Sequence, residues 1–137
     1  MKESPSWLRD AREHWRWRGG ERPPFAAVAR PDQTSVWDFP RPPRVAADAR
    51  EVTVHWGDLE IARTRRAVRA LETAHPPSFY LPWADVARDC VALYAGGALT
   101  CRVGGALVVP QPGGFYGGWI TPELAGPFKG EPGSEGW

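Results

Sequence analysis

The sequence lacks an excess of charge of either sign and has no long hydrophobic run. Its 17 Lys and Arg residues nearly balance 16 Asp and Glu residues, for a formal net charge of +1. No strong electrostatic field therefore favours nucleic acid or an anionic membrane as a partner. No stretch approaches the ~18 apolar residues of a membrane span, and the first thirty residues contain no apolar run bounded by a cleavage signal. We expect a cytoplasmic protein with no membrane or nucleic-acid partner.

Cysteine is too scarce for a structural zinc site. Cys90 and Cys101 are the two cysteines and form no Cys-x-x-Cys pair, whereas structural zinc needs four Cys or His ligands in paired spacing. We expect no metal and no cofactor. In the predicted strand register the cysteines share a sheet face but lie diagonally, too far apart for a disulfide. Both are predicted to be buried, reduced thiols.

The length of the chain and its helix signals predict one domain preceded by a helix. A chain of 137 residues suits a single domain, which we place at residues 20–137. Residues 1–19 fit an N-terminal helix, because Ser4 suits the N-cap, Pro5 the first turn and Gly19 the stop. An apolar stripe on this helix would pack on the same domain or on a partner, and comprises Trp7, Leu8, Ala11 and Trp15.

Alternating apolar and polar residues after position 50 predict antiparallel strands. The Gly-Asp pair at 57–58 is typical of a two-residue hairpin turn. Two Gly-Gly pairs, at 96–97 and 104–105, predict two further hairpin turns in a meander. The first hairpin is predicted to pair Trp56 with Leu59 and Val54 with Ile61.

The remaining segments are interpreted as one short helix and two irregular arms. "PWADVARDC" (82–90) predicts a short helix with Trp83 facing inward. Residues 20–47 are rich in proline and residues 110–119 are rich in glycine, so both are expected to wrap the sheet without regular structure. The predicted fold is therefore mainly β, a small antiparallel sheet domain with an N-terminal helix and Pro/Gly-rich arms.

Several unusual motifs together resemble one known family. They are "SVWDFPRPPRV", "RTRRAVRALETAHPPSFYLPWADV" and "PQPGGFYGGWITPELAGPFKGEPGSEGW", joined by "VALYAGGALTCRVGG". The resemblance, to the bacterial domain of unknown function 427, extends over nearly everything from residue 20 onward. It implies a fold of the β-tent group and supplies no catalytic residues. Longer members insert a central segment before the final meander, so this chain resembles a shortened member that lacks that segment.

An old nucleotidyltransferase label accompanies that family, and the residues do not support it. Such enzymes need two or three clustered carboxylates that hold Mg²⁺ against a triphosphate. This sequence has no Asp-x-Asp pair and no Gly-rich loop that carries the Lys and Ser/Thr of a phosphate cradle. Nucleotidyltransferase activity is therefore not expected, and the question of another enzymatic activity stays open.

The abundance of tryptophan points to a ligand-binding function. Eight Trp residues in 137 exceed the needs of an ordinary core, and some could form a cage for a flat or cationic small molecule. The alternative is that the large rings attach the irregular arms to the sheet. We interpret the domain as a non-catalytic small-ligand-binding module with an aromatic-lined pocket, whose predicted ligand-binding residues are Trp37, Tyr80, Trp83, Arg66, Tyr116 and Trp119.

A second hypothesis is a small enzyme that acts on a polar or anionic substrate. His75 follows Glu72 by three positions and could form a catalytic pair with it. The arginines between Arg63 and Arg69 could clamp an anion. The structural alternatives are that His75 bonds a backbone carbonyl at the Pro-Pro turn and that the arginines line a solvated face. Cys101 lies in a setting too apolar for a nucleophile.

A third hypothesis is a protein-interaction subunit. The regular β-rich part, at residues 44–109, is small enough for its core to be marginal alone. Uncovered sheet edges pair readily with other chains, and Trp and Tyr are enriched at protein contacts. We therefore predict a homodimer that uses the N-terminal helix or the edge of the meander.

Overall fold

The computed structural model describes residues 6, 10, 13–87 and 95–137 of the chain. Within them are eleven short strands and two single-turn 3-10 helices, at Val36–Asp38 and Trp83–Asp85. The strands are β1 (Thr34–Ser35), β2 (Arg44–Asp48), β3 (Val52–Trp56), β4 (Leu59–Thr64), β5 (Ala67–Leu71), β6 (Ser78–Tyr80), β7 (Leu99–Val103), β8 (Ala106–Leu107), β9 (Val109–Pro110), β10 (Trp119–Ile120) and β11 (Leu124–Ala125).

Two antiparallel sheets form the framework of the domain. One has four strands in the order β4-β3-β7-β8, and the other has three in the order β2-β5-β6. The irregular arms add two small ladders, an antiparallel pair of β9 with β10 and a parallel pair of β1 with β11. The mainly-β, antiparallel fold predicted from the sequence is confirmed.

The first predicted hairpin has the expected pairing at its turn, but its strand register shifts farther from the turn. Trp56 pairs with Leu59 across the Gly-Asp turn, where Gly57 has a φ of +57°. Between Val54 and His55 the register slips, so Val54 pairs with Ala62 and not with Ile61. A β-bulge inserts one extra residue on one strand, and here it allows both Ile61 and Ala62 to be buried.

The second Gly-Gly turn of the meander is also confirmed. Val103 pairs with Ala106 across it, and β7 lies between β3 and β8. Cys101 pairs with Val54 on one side, and its carbonyl accepts from Val108 N on the other at 2.9 Å. Cys101 is a free, buried cysteine, and burial raises the pKa of its thiol to about 11. Its prediction as a buried thiol is confirmed, whereas Cys90 lies outside the described residues.

The predicted helices are corrected by the structure. The four described residues among positions 1–14 have helical backbone. Trp15 to Gly19 do not, so the N-terminal helix predicted over 1–19 is not confirmed. In the described part of the second predicted helix (82–90), residues 83–85 form a single 3-10 turn. Trp83 is 67% exposed there, so its predicted inward orientation is wrong. None of the helices among the described residues has the length and apolarity that a bilayer crossing requires.

Apolar side chains collect in two separate clusters. The first, which we call the sheet core, lies on the inner face of the four-stranded sheet and comprises Val52, Val54, Ile61, Ala62, Ala67, Cys101, Val103, Val108 and Trp119. The second, the arm core, is built largely by the irregular segments and comprises Val36, Trp37, Phe39, Leu71, Ala74 and Leu124. Trp17, Phe128 and Trp137 pack against the arm core, so segments far apart in sequence enclose it.

Candidate functional site

Two of the predicted ligand-binding tryptophans lie in the interior, in different clusters. Trp37 is fully buried in the arm core, where Trp17 and Trp137 meet it edge-on. Trp119 is fully buried in the sheet core and stacks on Phe79, with ring centroids 5.1 Å apart. Neither indole N–H has a hydrogen-bond partner among the described residues. Both residues fit the alternative interpretation, in which large rings attach the irregular arms to the rest of the domain.

The other predicted binding residues also lie apart from one another. Tyr80 is 59% exposed at the end of β6, and Trp83 follows it on the surface. Arg66 donates to Asp85 at 2.7 Å, and the same carboxylate accepts from Thr64 Oγ1 at 2.6 Å. The six predicted residues therefore do not form a single aromatic pocket.

The arginine cluster is neutralised by neighbouring carboxylates. Each of its members has an acidic partner, and two of them share one: Arg63 bonds Glu51 and Glu60, Arg65 approaches Glu51, Arg66 bonds Asp85, and Arg69 approaches Asp48. Three of the four arginines precede β5, while Glu72 and His75 follow it. A five-residue strand spans about 17 Å, so these arginines are remote from His75.

His75 lies on a tightly held turn at the end of β5. Ala74, just before it, has a φ of +70°, a conformation that costs energy for any residue with a Cβ. Ala74 N donates to Val36 O at 3.2 Å, and Ala74 O accepts from Lys129 N at 2.8 Å. Thr73 Oγ1 donates to Phe39 O at 2.7 Å. The two arms thus fix the backbone that presents His75.

The hydrogen bond of His75 determines which ring nitrogen is free. Nδ1 lies 2.9 Å from Thr73 O, and a carbonyl oxygen can only accept, so Nδ1 carries the proton. Burial lowers the pKa of His75, Arg41 and Lys129 lower it further, and the bond to Thr73 and the nearby Glu72 oppose them. The ring is therefore neutral at pH 7, with an unprotonated Nε2 that can accept a hydrogen bond.

This lowered pKa predicts a pH dependence of stability. The unfolded chain, with an ordinary histidine pKa of 6.5, binds the proton more readily than the folded protein. The free energy of unfolding should therefore fall as the pH drops below 6.5 and level off below the folded pKa. Urea denaturation at pH 7.5, 6.5 and 5.5 measures this slope, and His75→Asn should flatten it. A wild-type slope that His75→Asn leaves unchanged would contradict the assignment.

Glu72 stands beside His75 and is held by a buried arginine. Its Oε1 accepts from Arg41 Nε at 3.2 Å. The Arg41 side chain is nearly inaccessible and also donates to Thr73 O at 3.0 Å, while the Glu72 side chain remains 32% exposed. One carboxylate oxygen is thus occupied, and Oε2 has no hydrogen-bond partner among the described residues.

The glycine-rich segment 110–119 is a folded loop that packs on the His75 turn. Gln111 N donates to Gly118 O at 2.9 Å, and Gln111 Oε1 accepts from Gly118 N at 3.2 Å. A Cβ at Gly118 would lie 2.6 Å from Pro76 O, so only glycine permits this close approach. At its tip, Tyr116 meets the His75 ring edge-on at 5.1 Å, and Phe115 meets Tyr116 at 5.0 Å.

The structure thus assembles a surface site from His75, Glu72, Tyr116 and Phe115, which we call the His75 site. Phe115 is 80% exposed, and the other three are half-buried. His75, Glu72 and Tyr116 were candidates from the sequence, in two different hypotheses. Phe115 and the supporting Arg41 were missed, because neither stands in a recognisable motif; the exposed ring beside two glycines was the available signal.

The central part of this chain matches the model of one protein family. Residues 44–106 match the family described as domain of unknown function (DUF427), which agrees with the resemblance seen in the motifs. Searches among curated proteins and among solved structures find no match. The matched segment carries Glu72 and His75, whereas Arg41, Phe115 and Tyr116 come from the flanking arms.

Two other features of the structure bear on its chemistry. Among the described residues, no group of three or more His, Cys, Asp and Glu side chains is placed to hold a metal ion. An open depression of about 290 Å³ lies beside β4 and is lined by residues 60–63 and 84–87. Its lining includes none of the predicted aromatic residues, and we therefore assign the candidate site to the His75 surface.

Proposed function

We propose that this protein is a non-catalytic module that binds a small planar molecule at the His75 site. The observation that carries the proposal is the neutral His75 ring, whose tautomer is fixed by Thr73 O. A fixed imidazole presents its Nε2 lone pair in one direction and loses little side-chain entropy on binding. Beside it, Tyr116 and Phe115 offer apolar ring faces.

The charges around the site favour a ligand with hydrogen-bond donors and no strong charge. His75 Nε2 and Glu72 Oε2 are both acceptors, so the ligand should carry N–H or O–H groups. Arg41 and Lys129 act on the His75 ring as positive charges, and Glu72 partly offsets them. These opposed charges favour neither a strong cation nor an anion. A neutral heterocycle or aromatic amide with N–H donors has this chemistry.

The proposal is tested by titrating the protein with adenine, cytosine and nicotinamide while observing the His75 ring by NMR. We expect at least one of these planar probes to shift the His75 Hε1 signal saturably. Tyr116→Ala should weaken that binding at least tenfold, because it removes the ring that contacts His75. Tyr80→Ala is the matched control, since Tyr80 is an exposed tyrosine outside the site. The proposal fails if no probe binds up to 5 mM, about the weakest affinity a fragment-sized ligand shows, or if Tyr80→Ala has the larger effect.

Catalysis is the second candidate function, and the same fixed tautomer favours it. A neutral imidazole with a free Nε2 is the form in which histidine acts as a general base. The four arginines between Arg63 and Arg69 would not take part, since each is paired with a carboxylate. His75→Gln separates the two functions: a binding module retains part of its affinity through the amide, whereas an enzyme loses turnover of whichever probe it converts.

A further inference from the structure

The outer face of the three-stranded sheet carries no charged side chain. The register places alternate residues of β2, β5 and β6 together on this face, and the inner face holds Ala67 and Leu71, which are buried. Val45 is 65% exposed, and Tyr80 is exposed at the opposite margin. The outer face therefore forms an uncharged, largely apolar surface that comprises Val45, Ala47, Val68, Ala70, Ser78 and Tyr80.

Strand β2 forms an open edge of that sheet. It pairs with β5 on one side, and no other described segment forms a backbone hydrogen bond with residues 44–48. Open edges in monomeric proteins are usually protected by proline, inward charge, a bulge or a covering segment. None of these devices occurs within residues 45–47.

The other sheet edges in the described part of the chain are short or covered. Beside β4, Val86 bridges to Ala62 and Ala87 N donates to Ile61 O at 2.7 Å. Strand β8 has two residues, and β6 has three, with Pro77 before it and Pro82 after it. Pro43 comes directly before β2 and the buried Asp48 ends it, so residues 45–47 are the unprotected stretch of the strand. With five residues, β2 is the longest edge that no described segment covers.

We propose that two copies of this chain associate through their β2 strands, antiparallel across a two-fold axis at Ala46. This register pairs all five residues of the strand, with Ala46 opposite itself, Val45 opposite Ala47 and Arg44 opposite Asp48 of the second copy. No like charges face each other directly across the ladder. The two three-stranded sheets become one six-stranded sheet with a continuous apolar outer face.

The size of the contact makes the dimer weak. Two five-residue strands and their margins bury less than the ~1,200 Å² of a stable interface, so weak association is expected. Association should therefore depend on concentration. This surface differs from both the N-terminal helix and the meander edge that the sequence suggested.

A charge-pair experiment tests the register itself. Val45→Lys combined with Ala47→Lys places lysines opposite each other across the axis, and Val45→Lys combined with Ala47→Glu places opposite charges there. Sedimentation velocity at concentrations from about 5 µM to about 1 mM detects weak association of this kind. The wild type and the Lys/Glu variant should dimerise, and the Lys/Lys variant should weaken association at least tenfold.

A matched control uses an exposed valine on another edge. Val109 is 54% exposed on β9, and Val109→Lys should leave association unchanged. Circular dichroism checks that every variant is folded. A monomer at 1 mM, equal association of the Lys/Lys and Lys/Glu variants, or dissociation caused by Val109→Lys would each overturn the proposal.

Discussion

Trp119→Ala is expected to lower the free energy of unfolding by about 3–5 kcal/mol, the range for truncation of a buried aromatic residue. Trp119 is 1% exposed and stacks on Phe79 within the sheet core. Its backbone also pairs β10 with β9 and donates to Pro77 O at 2.9 Å. Removing the indole would leave a cavity at the junction between the loop and the sheet. Urea denaturation followed by circular dichroism measures the change.

Trp83→Ala is the matched control for that experiment. Its ring is 67% exposed, so its removal should change the free energy of unfolding by less than about 1 kcal/mol. Equal losses from the two variants would contradict the assignment of Trp119 to the core. If Trp119→Ala abolished probe binding without lowering stability, Trp119 would instead be a ligand-binding residue.

Gly130→Ala is expected to destabilise the protein by about 3 kcal/mol or more, because it combines backbone strain with a steric clash. Gly130 has a φ of +105°, and a Cβ there would lie 2.0 Å from Pro112 O. To relieve that clash, the backbone at residue 130 must move away from the backbone of Pro112. The adjacent Lys129 O accepts from Gln111 Nε2 at 2.8 Å, and Lys129 Nζ donates to Glu135 O at 3.1 Å and to Ser134 O. The whole contact between the two glycine-rich segments should loosen.

Two neighbouring glycines separate the contributions to that effect. Gly133 has a φ of +86° with no atom near the position that a Cβ would occupy, and Gly136 has neither a positive φ nor a close atom. Gly133→Ala should therefore cost about 1–2 kcal/mol from strain alone, and Gly136→Ala should be nearly neutral. Thermal denaturation of the three variants gives the order directly. A Gly130→Ala protein as stable as Gly136→Ala would show that the contact with Pro112 is not formed.

Turn chemistry made the hairpins predictable from the sequence. The Gly-Asp and second Gly-Gly turns each set a local register, because a two-residue loop leaves one pairing for the residues beside it. The shift at Val54 was missed because a bulge depends on how Ile61 and Ala62 pack against the rest of the sheet core. Local sequence carries no signal for that choice.

The arms could not be predicted in the same way, since their contacts are long-range. Proline and glycine showed that these segments are irregular, but not that Trp37 meets Trp137, or that Arg41 reaches Glu72. The sequence offered both interpretations of His75, and the bond to Thr73 O matches the structural one. That bond also leaves Nε2 free, so the structural role and the proposed functional role coexist in one residue.

The parallel ladder of β1 and β11 has a consequence for the order in which the chain folds. Thr34 pairs with Leu124, and Gln33 Nε2 donates to Pro122 O at 3.0 Å across a separation of 89 positions in the chain. Closing such a long loop has a high entropic cost, whereas the β3–β4 hairpin closes across two residues. We expect amides of β3 and β4 to gain protection from hydrogen exchange before those of the arms in a refolding experiment. The Trp37 environment, which the arms complete, should then be among the last to become native.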